Sequence, residues 1–165
     1  MNIRNTTLND LAKVMTIYER ARKFMAANGN PNQWGGTNWP PEDLIRNDIA
    51  IGKSFVCIEG EEIVGTFYYD FGKDIEPTYE KIYEGAWLND SAYGVVHRLA
   101  ASGTVRGVGK FCMTWAFERS GGHIRVDTHP DNKVLQHLLS GLGYKHCGTI
   151  FVAKDNYPRL AYEKF

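Results

Sequence analysis

The stretch Leu99-Ala100-Ala101-Ser102-Gly103-Thr104-Val105-Arg106-Gly107-Val108-Gly109-Lys110 decides how the chain is read, because an apolar strand end runs through a turn of small residues into an amphipathic helix. Backbone N–H groups in the first turn of a helix lack an intrahelical partner and carry partial positive charge, so a glycine-rich turn feeding them makes an anion site and points to a phosphorylated ligand. The same glycines also suit a plain strand-to-helix turn, and the loop alone does not separate the two readings. Two nucleotide-binding loops fail on spacing. A P-loop needs Ser or Thr after its Lys to hold magnesium, whereas Phe111 follows Lys110. A dinucleotide fingerprint needs a third glycine where Cys112 stands.

Downstream of the loop, Val108, Phe111, Cys112, Trp115 and Ala116 recur at helical spacing, and Gly121-Gly122 ends that helix. Ile124 to Thr128 reads as a strand. Asp131 or Asn132 caps a further helix carrying Val134, Leu135, Leu138, Leu139 and Leu142 and stopped by Gly143, and Tyr144–Val152 with Leu160–Lys164 closes as an antiparallel pair. Upstream, Ile3-Arg4-Asn5 starts a strand and Thr7 to Asp10 fits a capping box. Leu11, Val14, Met15 and Tyr18 then form an apolar helical stripe that Asn28-Gly29-Asn30-Pro31 ends. A second helix runs from Pro41 to Ile51. Ser54–Glu59 and Ile63–Phe71 flank a Gly60-Glu61-Glu62 turn, a short helix is expected beyond Pro77, and Tyr93–Ala101 is the strand that feeds the loop. Along this strand, period-two alternation predicts that Val95, His97 and Leu99 share one face and Val96, Arg98 and Ala100 the other. The fold class is α/β (α+β): one mixed, mostly antiparallel twisted sheet with helices on both faces.

Residues 1–165 are expected to form one domain, since this length supports one core and no repeat, low-complexity stretch or linker divides it. A formal net charge of zero argues against binding nucleic acid or an anionic membrane through overall charge. Cys57, Cys112 and Cys147 are odd in number and widely spaced, which suggests neither a disulfide framework nor a zinc site, and the histidine spacing fits no metal either. No signal-like or membrane-spanning apolar run is present, so a reducing, cytoplasmic location is expected.

The order strand, glycine loop, helix, strand, Asn-capped helix, Gly-aromatic, strand resembles the GNAT superfamily of acyl-CoA-dependent N-acetyltransferases over nearly the whole chain. The family's loop motif, Arg/Gln-x-x-Gly-x-Gly/Ala, fits from Arg106 with Phe111 in the last small position, or from Thr104 with Gly107 and Gly109 in place but Thr for Arg/Gln. Its second motif, an Asn followed a helix later by Gly-Phe or Gly-Tyr, fits Asn132 and Gly143-Tyr144. The resemblance implies that acetyl-CoA is the co-substrate, that Thr104, Val105, Arg106, Gly107, Val108, Gly109 and Lys110 face its pyrophosphate, and that Leu99, Ala100 and Ala101 pair with its pantetheine arm like an added strand. A backbone N–H there would polarise the thioester carbonyl.

Catalysis departs from the family pattern, because Leu139 stands where many members carry a tyrosine that protonates the leaving thiolate. Tyr144 and Tyr157 are the replacement candidates. For the base that deprotonates the amine, His97 and His129 are the candidates, with Asp127 and Glu84 behind them. His97 is equally readable as a hydrogen-bonded sheet histidine with Arg98 pairing a carboxylate, and His129 as part of a turn held by Pro130 and Asp131. Trp34 and Trp39, set among turn formers, read either as plugs on the core or as a substrate wall, and with Asp74 and Tyr79 they are expected to shape the acceptor pocket. The resulting expectation is acetyl transfer to a primary amine, with a small molecule favoured over a protein or peptide amine, by a monomer or homodimer. A non-catalytic acyl-CoA sensor is the alternative from another class.

Overall fold

The computed structural model describes residues 1–165. In chain order its elements are β1 (Asn2–Asn5), α1 (Leu11–Ala27), α2 (Glu42–Ala50), β2 (Ser54–Glu59), β3 (Glu62–Gly72), β4 (Tyr93–Ala101), α3 (Val108–Arg119), β5 (Ile124–Thr128), α4 (Lys133–Gly141), β6 (Lys145–Phe151) and β7 (Pro158–Lys164). The strands form one seven-stranded sheet in the order β1-β2-β3-β4-β5-β7-β6, antiparallel everywhere except between β4 and β5. One core cluster packs α3 and α4 on the sheet through Cys112, Met113, Ala116 and Leu139. A second packs α1 and α2 through Val14, Ile17, Tyr18 and Ile45. No helix is long and apolar enough to cross a membrane.

Local chemistry explains the ends of the elements. The carboxylate of Asp10 accepts from the Thr7 amide at 2.8 Å, reaching back across the first turn as the capping-box spacing predicts. Asn132 caps α4 by accepting from the Leu135 amide at 3.1 Å.

The parallel pairing of β4 with β5 holds only at Gly94↔Ile124 and Val95↔Arg125, and beyond those residues the two strands part. The cause lies in β4. Between the pairs Tyr68↔His97 and Thr66↔Ala100, β4 spends one more residue than β3, a bulge centred on Arg98, which sits at φ +55°. A left-handed backbone is costly for a long side chain, and here the surroundings hold it. The Arg98 guanidinium donates to buried Asp48 of α2 at 2.6 Å and lies over the Tyr68 ring, while the Tyr18 hydroxyl donates to the Arg98 carbonyl at 3.1 Å. The extra residue also breaks the expected alternation. Leu99 joins Val96 against the α3 side, and Ala100 turns to the α1 side.

A second expectation fails between Ile75 and Trp87, where only the single 3-10 turn Pro77–Tyr79 forms instead of a helix. The segment beyond it spends its backbone hydrogen bonds on the edge of β6. Tyr83 and Thr149 exchange both N–H···O bonds at 2.8 Å, and the Ala86 amide donates to the Cys147 carbonyl at 3.0 Å. A Cβ on Gly85 would lie 1.8 Å from that carbonyl, so only glycine permits the approach. Glu163, fully buried, fastens the rest of the segment by binding the Leu88 amide, the His123 ring at 2.8 Å and the Arg125 guanidinium at 3.0 Å.

Candidate active site

The parting of β4 from β5 opens a cleft of about 430 Å³. Its two walls differ. On one side it is bounded by Leu99, Ala100 and Ala101 of β4 and by Asn132, Leu135 and Leu138 at the start of α4. The other side is closed by α1, by Trp34 and Trp39 of the segment between α1 and α2, and by the connection between β6 and β7. Gln33 ties these covering segments together. Its carbonyl accepts from Lys154 Nζ at 2.7 Å, and its side-chain oxygen accepts from Asn132 at 3.0 Å and from Asn30 at 2.8 Å.

At the β4 end of the cleft the chain turns through Ser102–Gly107 into α3. Gly107 at φ +81° is the N-cap, a conformation that suits glycine, and Gly109 faces α4, where an added Cβ would come within 3.1 Å of Leu138. Of the two motif registers, the one starting at Thr104 therefore puts glycines at the two positions where geometry asks for them. The amides of Val105 to Lys110 make no hydrogen bond within the protein; the first amide of the helix with a partner is Phe111, bonded to the Gly107 carbonyl at 2.9 Å. Six consecutive free donors at a helix N-terminus, together with Arg106 and Lys110 exposed on the same turn, fit a pyrophosphate. No group of three or more His, Cys, Asp or Glu side chains is disposed to hold a metal ion.

His97 stands where β4 leaves β5, about one-fifth exposed and facing the cleft. Its Nε2 is 2.8 Å from Glu76 Oε2, and its Nδ1 is 3.9 Å from Asp127 Oδ2 at the end of β5. Burial pushes the Glu76 carboxyl up, but the His97 ring and the Thr78 hydroxyl and amide outweigh it and hold the group down at about 2. Glu76 is therefore an anion at neutral pH, so Nε2 is the nitrogen that donates to it, and Nδ1 is the nitrogen turned toward Asp127. Tyr79 lies behind this group and does not line the cleft. Its buried hydroxyl donates to Asp127 Oδ2 at 2.7 Å, and burial followed by the Asp127 charge pushes its pKa well up, so it stays a donor.

The remaining candidates lie elsewhere. His129 is buried outside the cleft, stacked on Tyr157 with ring centroids 4.8 Å apart, and its Nδ1 accepts from the Asp131 amide at 3.0 Å. Burial, then the Arg159 charge, lowers its pKa. The ring shapes the turn that launches α4. The Tyr144 hydroxyl is sealed in the core without a partner, and burial drives its pKa upward. Tyr157 is exposed beside His129, Leu139 is fully buried, and no tyrosine lines the cleft. Trp34 is buried against Tyr18 while also lining the cleft, so core plug and substrate wall describe the same side chain. Glu84 hydrogen-bonds Thr149 at the β6 edge, and neither it nor Asp74 borders the cleft.

Two residues central to this arrangement carry weak sequence signals. Glu76 sits in an irregular loop with no periodicity to mark it. Asp48 follows Ile45 by three positions on the inward face of α2, and a carboxylate on an apolar stripe is a sign of a buried ion pair.

No family model matches the chain, and no curated protein matches it. Solved structures do. A GNAT-family acetyltransferase from Streptococcus agalactiae 2603 shares 34% identity and a TM-score of 0.89, covering 99% of this chain and 94% of that one. An agmatine N-acetyltransferase shares the fold at 15% identity and TM-score 0.65, with 99% of each chain covered. A ribosomal-protein-alanine N-acetyltransferase from Brucella melitensis shares it at 18% identity and TM-score 0.61, over 100% of this chain and 99% of that one. One fold thus carries a small-molecule and a protein acceptor, and the acceptor has to be read from the cleft.

Proposed function

The chain belongs to the GNAT family of acetyltransferases, and from that membership we propose that it moves the acetyl group of acetyl-CoA directly to a primary amine of a small molecule, as a single catalytic domain in the cytoplasm. The observation that carries this reading is the run of free amides from Val105 to Lys110, which follows directly on Ala101 and Gly103 at the rim of the cleft between β4 and β5. Thr104 to Lys110 would hold the pyrophosphate, and the parted edges of Leu99, Ala100 and Ala101, with Asn132 opposite, would take the pantetheine arm. When bound, acetyl-CoA supplies an activated acyl group.

The protein's own part is to bind the amine and manage its proton. An alkylammonium has a pKa near 10.4 and cannot attack until it is deprotonated. His97, oriented by Glu76, presents Nδ1 as the acceptor of that proton. A main-chain N–H of Leu99 to Ala101 would stabilise the acyl oxygen, and the C–S bond breaks as the C–N bond forms. With no phenol in the cleft, the proton held on His97 goes to the departing thiolate, and the ring nitrogen so freed takes the second proton from the new amide nitrogen and passes it to solvent. The covered acceptor side, walled by Trp34 and Trp39 and tied through Gln33, favours a small molecule over a protein terminus.

The test begins with thermal unfolding in acetyl-CoA. At about 100 times its Kd the ligand adds about 2.7 kcal/mol, which raises the midpoint by roughly 5 to 10 °C for a domain of this size. Thiol release that requires an added amine then establishes transfer. Binding without amine-dependent release would indicate the sensor instead, and no shift would overturn the reading.

A further inference from the structure

The charges around His97 say what kind of amine fits. Two carboxylates reach the acceptor side of the cleft, but they are not equivalent. Glu76 is committed, taking the His97 ring at 2.8 Å and the Thr78 hydroxyl at 2.8 Å. Asp127 is held by Tyr79 at one oxygen only, its side chain is 12% exposed, and its other oxygen meets no protein donor. The oxygen that Tyr79 holds stands 3.9 Å from His97 Nδ1, so an ammonium seated against the other oxygen of the same carboxylate would lie beside the nitrogen proposed to take its proton.

The cations on the cleft wall are all engaged. Arg98 is paired with Asp48, and Arg159 with Asp155 at 2.7 Å and the Tyr157 carbonyl at 3.1 Å. Lys154 lies 4.8 Å over the Trp39 ring and donates to the Gln33 carbonyl. Lys154 alone has no carboxylate partner, and it is held at the Gln33 and Trp39 end of the wall. Beyond the polar group the wall is apolar, made of Met25, Trp34, Trp39, Val152 and Phe24, the last 54% exposed at the mouth.

Resting on the acetyl-transfer reading above, we propose that the acceptor is an amphipathic monoamine, with one primary ammonium bound by Asp127 and an apolar or aromatic body packed against Trp39, Met25 and Phe24. The site selects against an α-carboxylate, which would be held next to the ammonium and so beside Asp127 and Glu76, while the two arginines of the wall are already paired with Asp48 and Asp155. It also selects against a second ammonium, which would fall among apolar side chains while Lys154 already occupies a face of Trp39.

The experiment measures acetyl-CoA-dependent thiol release with 2-phenylethylamine, phenylalanine and putrescine, after calorimetry has established acetyl-CoA binding. The expected kcat/KM for 2-phenylethylamine exceeds that for phenylalanine by about a hundred-fold, through like-charge repulsion, and that for putrescine by about ten-fold or more. Asp127→Asn is expected to raise KM for 2-phenylethylamine by about ten- to a hundred-fold, the loss of one charged hydrogen bond, with a far smaller change in kcat and an unchanged Kd for acetyl-CoA. Should that variant not fold, Trp39→Ala serves in its place and raises KM for 2-phenylethylamine more than for n-propylamine. A preference for phenylalanine or putrescine overturns the assignment, as does no turnover of 2-phenylethylamine by protein that binds acetyl-CoA, or an unchanged KM in the folded variants. Failure to bind acetyl-CoA at all overturns the parent reading instead.

Discussion

Replacing Asp48 with asparagine tests whether the cleft depends on the ion pair behind it. The Asp48 carboxylate is 3% exposed and accepts from the Arg98 guanidinium at 2.6 Å. Asp48→Asn keeps the shape and removes the charge, leaving a guanidinium 14% exposed with no counterion. Breaking a buried pair from one side costs about 3 to 5 kcal/mol, which lowers the unfolding midpoint by roughly 6 to 20 °C at 2 to 4 °C per kcal/mol. The reverse change should cost less, for two reasons. Arg98→Gly relieves the φ of +55°, worth about 1 to 2 kcal/mol. The carboxyl it strands is also already inclined to neutralise, because burial pushes the Asp48 pKa up more than Arg98 pulls it down. The double variant should then cost less than the sum of the two by about 0.5 to 3 kcal/mol. Urea unfolding of the four proteins at neutral pH provides the cycle. If Asp48→Asn costs under about 1 kcal/mol, or the two changes add, the pair does not hold the bulge and the reasoning fails.

His97→Gln is expected to lower amine-dependent turnover by about a hundred- to ten-thousand-fold while leaving acetyl-CoA affinity intact by calorimetry; an unchanged rate removes His97 from the mechanism. Gly107→Ala meets open space at Cβ but must hold φ +81°, so it should cost about 1 to 2 kcal/mol of stability, read from the urea midpoint. Tyr144→Phe deletes a sealed hydroxyl that has no partner and should leave both stability and turnover unchanged in the same assays. The Asp10 carboxyl is held down at about 2 by the Arg4 guanidinium and the Thr7 amide and hydroxyl, against an ordinary 3.8. A depressed acid stabilises the fold above its unfolded pKa and loses that contribution as pH falls, so roughly 2 kcal/mol should vanish between about pH 4 and 2. Asp10→Asn should flatten that part of the acid limb in a pH series of unfolding midpoints.

Much of the fold was legible because its signals are local. Apolar periodicity marked α1, α3 and α4, and Gly121-Gly122 and Gly143 marked helix ends, since each acts within a turn or two of the chain. The glycine loop was legible for the same reason. The bulge at Arg98 was not, because nothing in Val95 to Ala100 shows that Asp48, fifty positions away, will hold an arginine in a left-handed backbone. The sequence of Ile75–Trp87 does not show its conformation, because its backbone bonds go to β6 and a glycine approach such as Gly85 against Cys147 has no periodicity. In the site, His97 could be picked by residue type and strand position. Glu76, which orients it, reaches it from an irregular loop, and the free oxygen of Asp127 becomes visible only once Tyr79 is seen to occupy the other.

The central claim is that the amides opening α3 grip a pyrophosphate at the mouth of the cleft, and an amide-resolved NMR titration with acetyl-CoA addresses it most directly. The account predicts that the largest shifts fall on the free amides of Val105 to Lys110 and on Leu99 to Ala101, with saturation at one equivalent and little change on β1 or β2. Saturable binding that leaves those amides unmoved, or no binding, would contradict it.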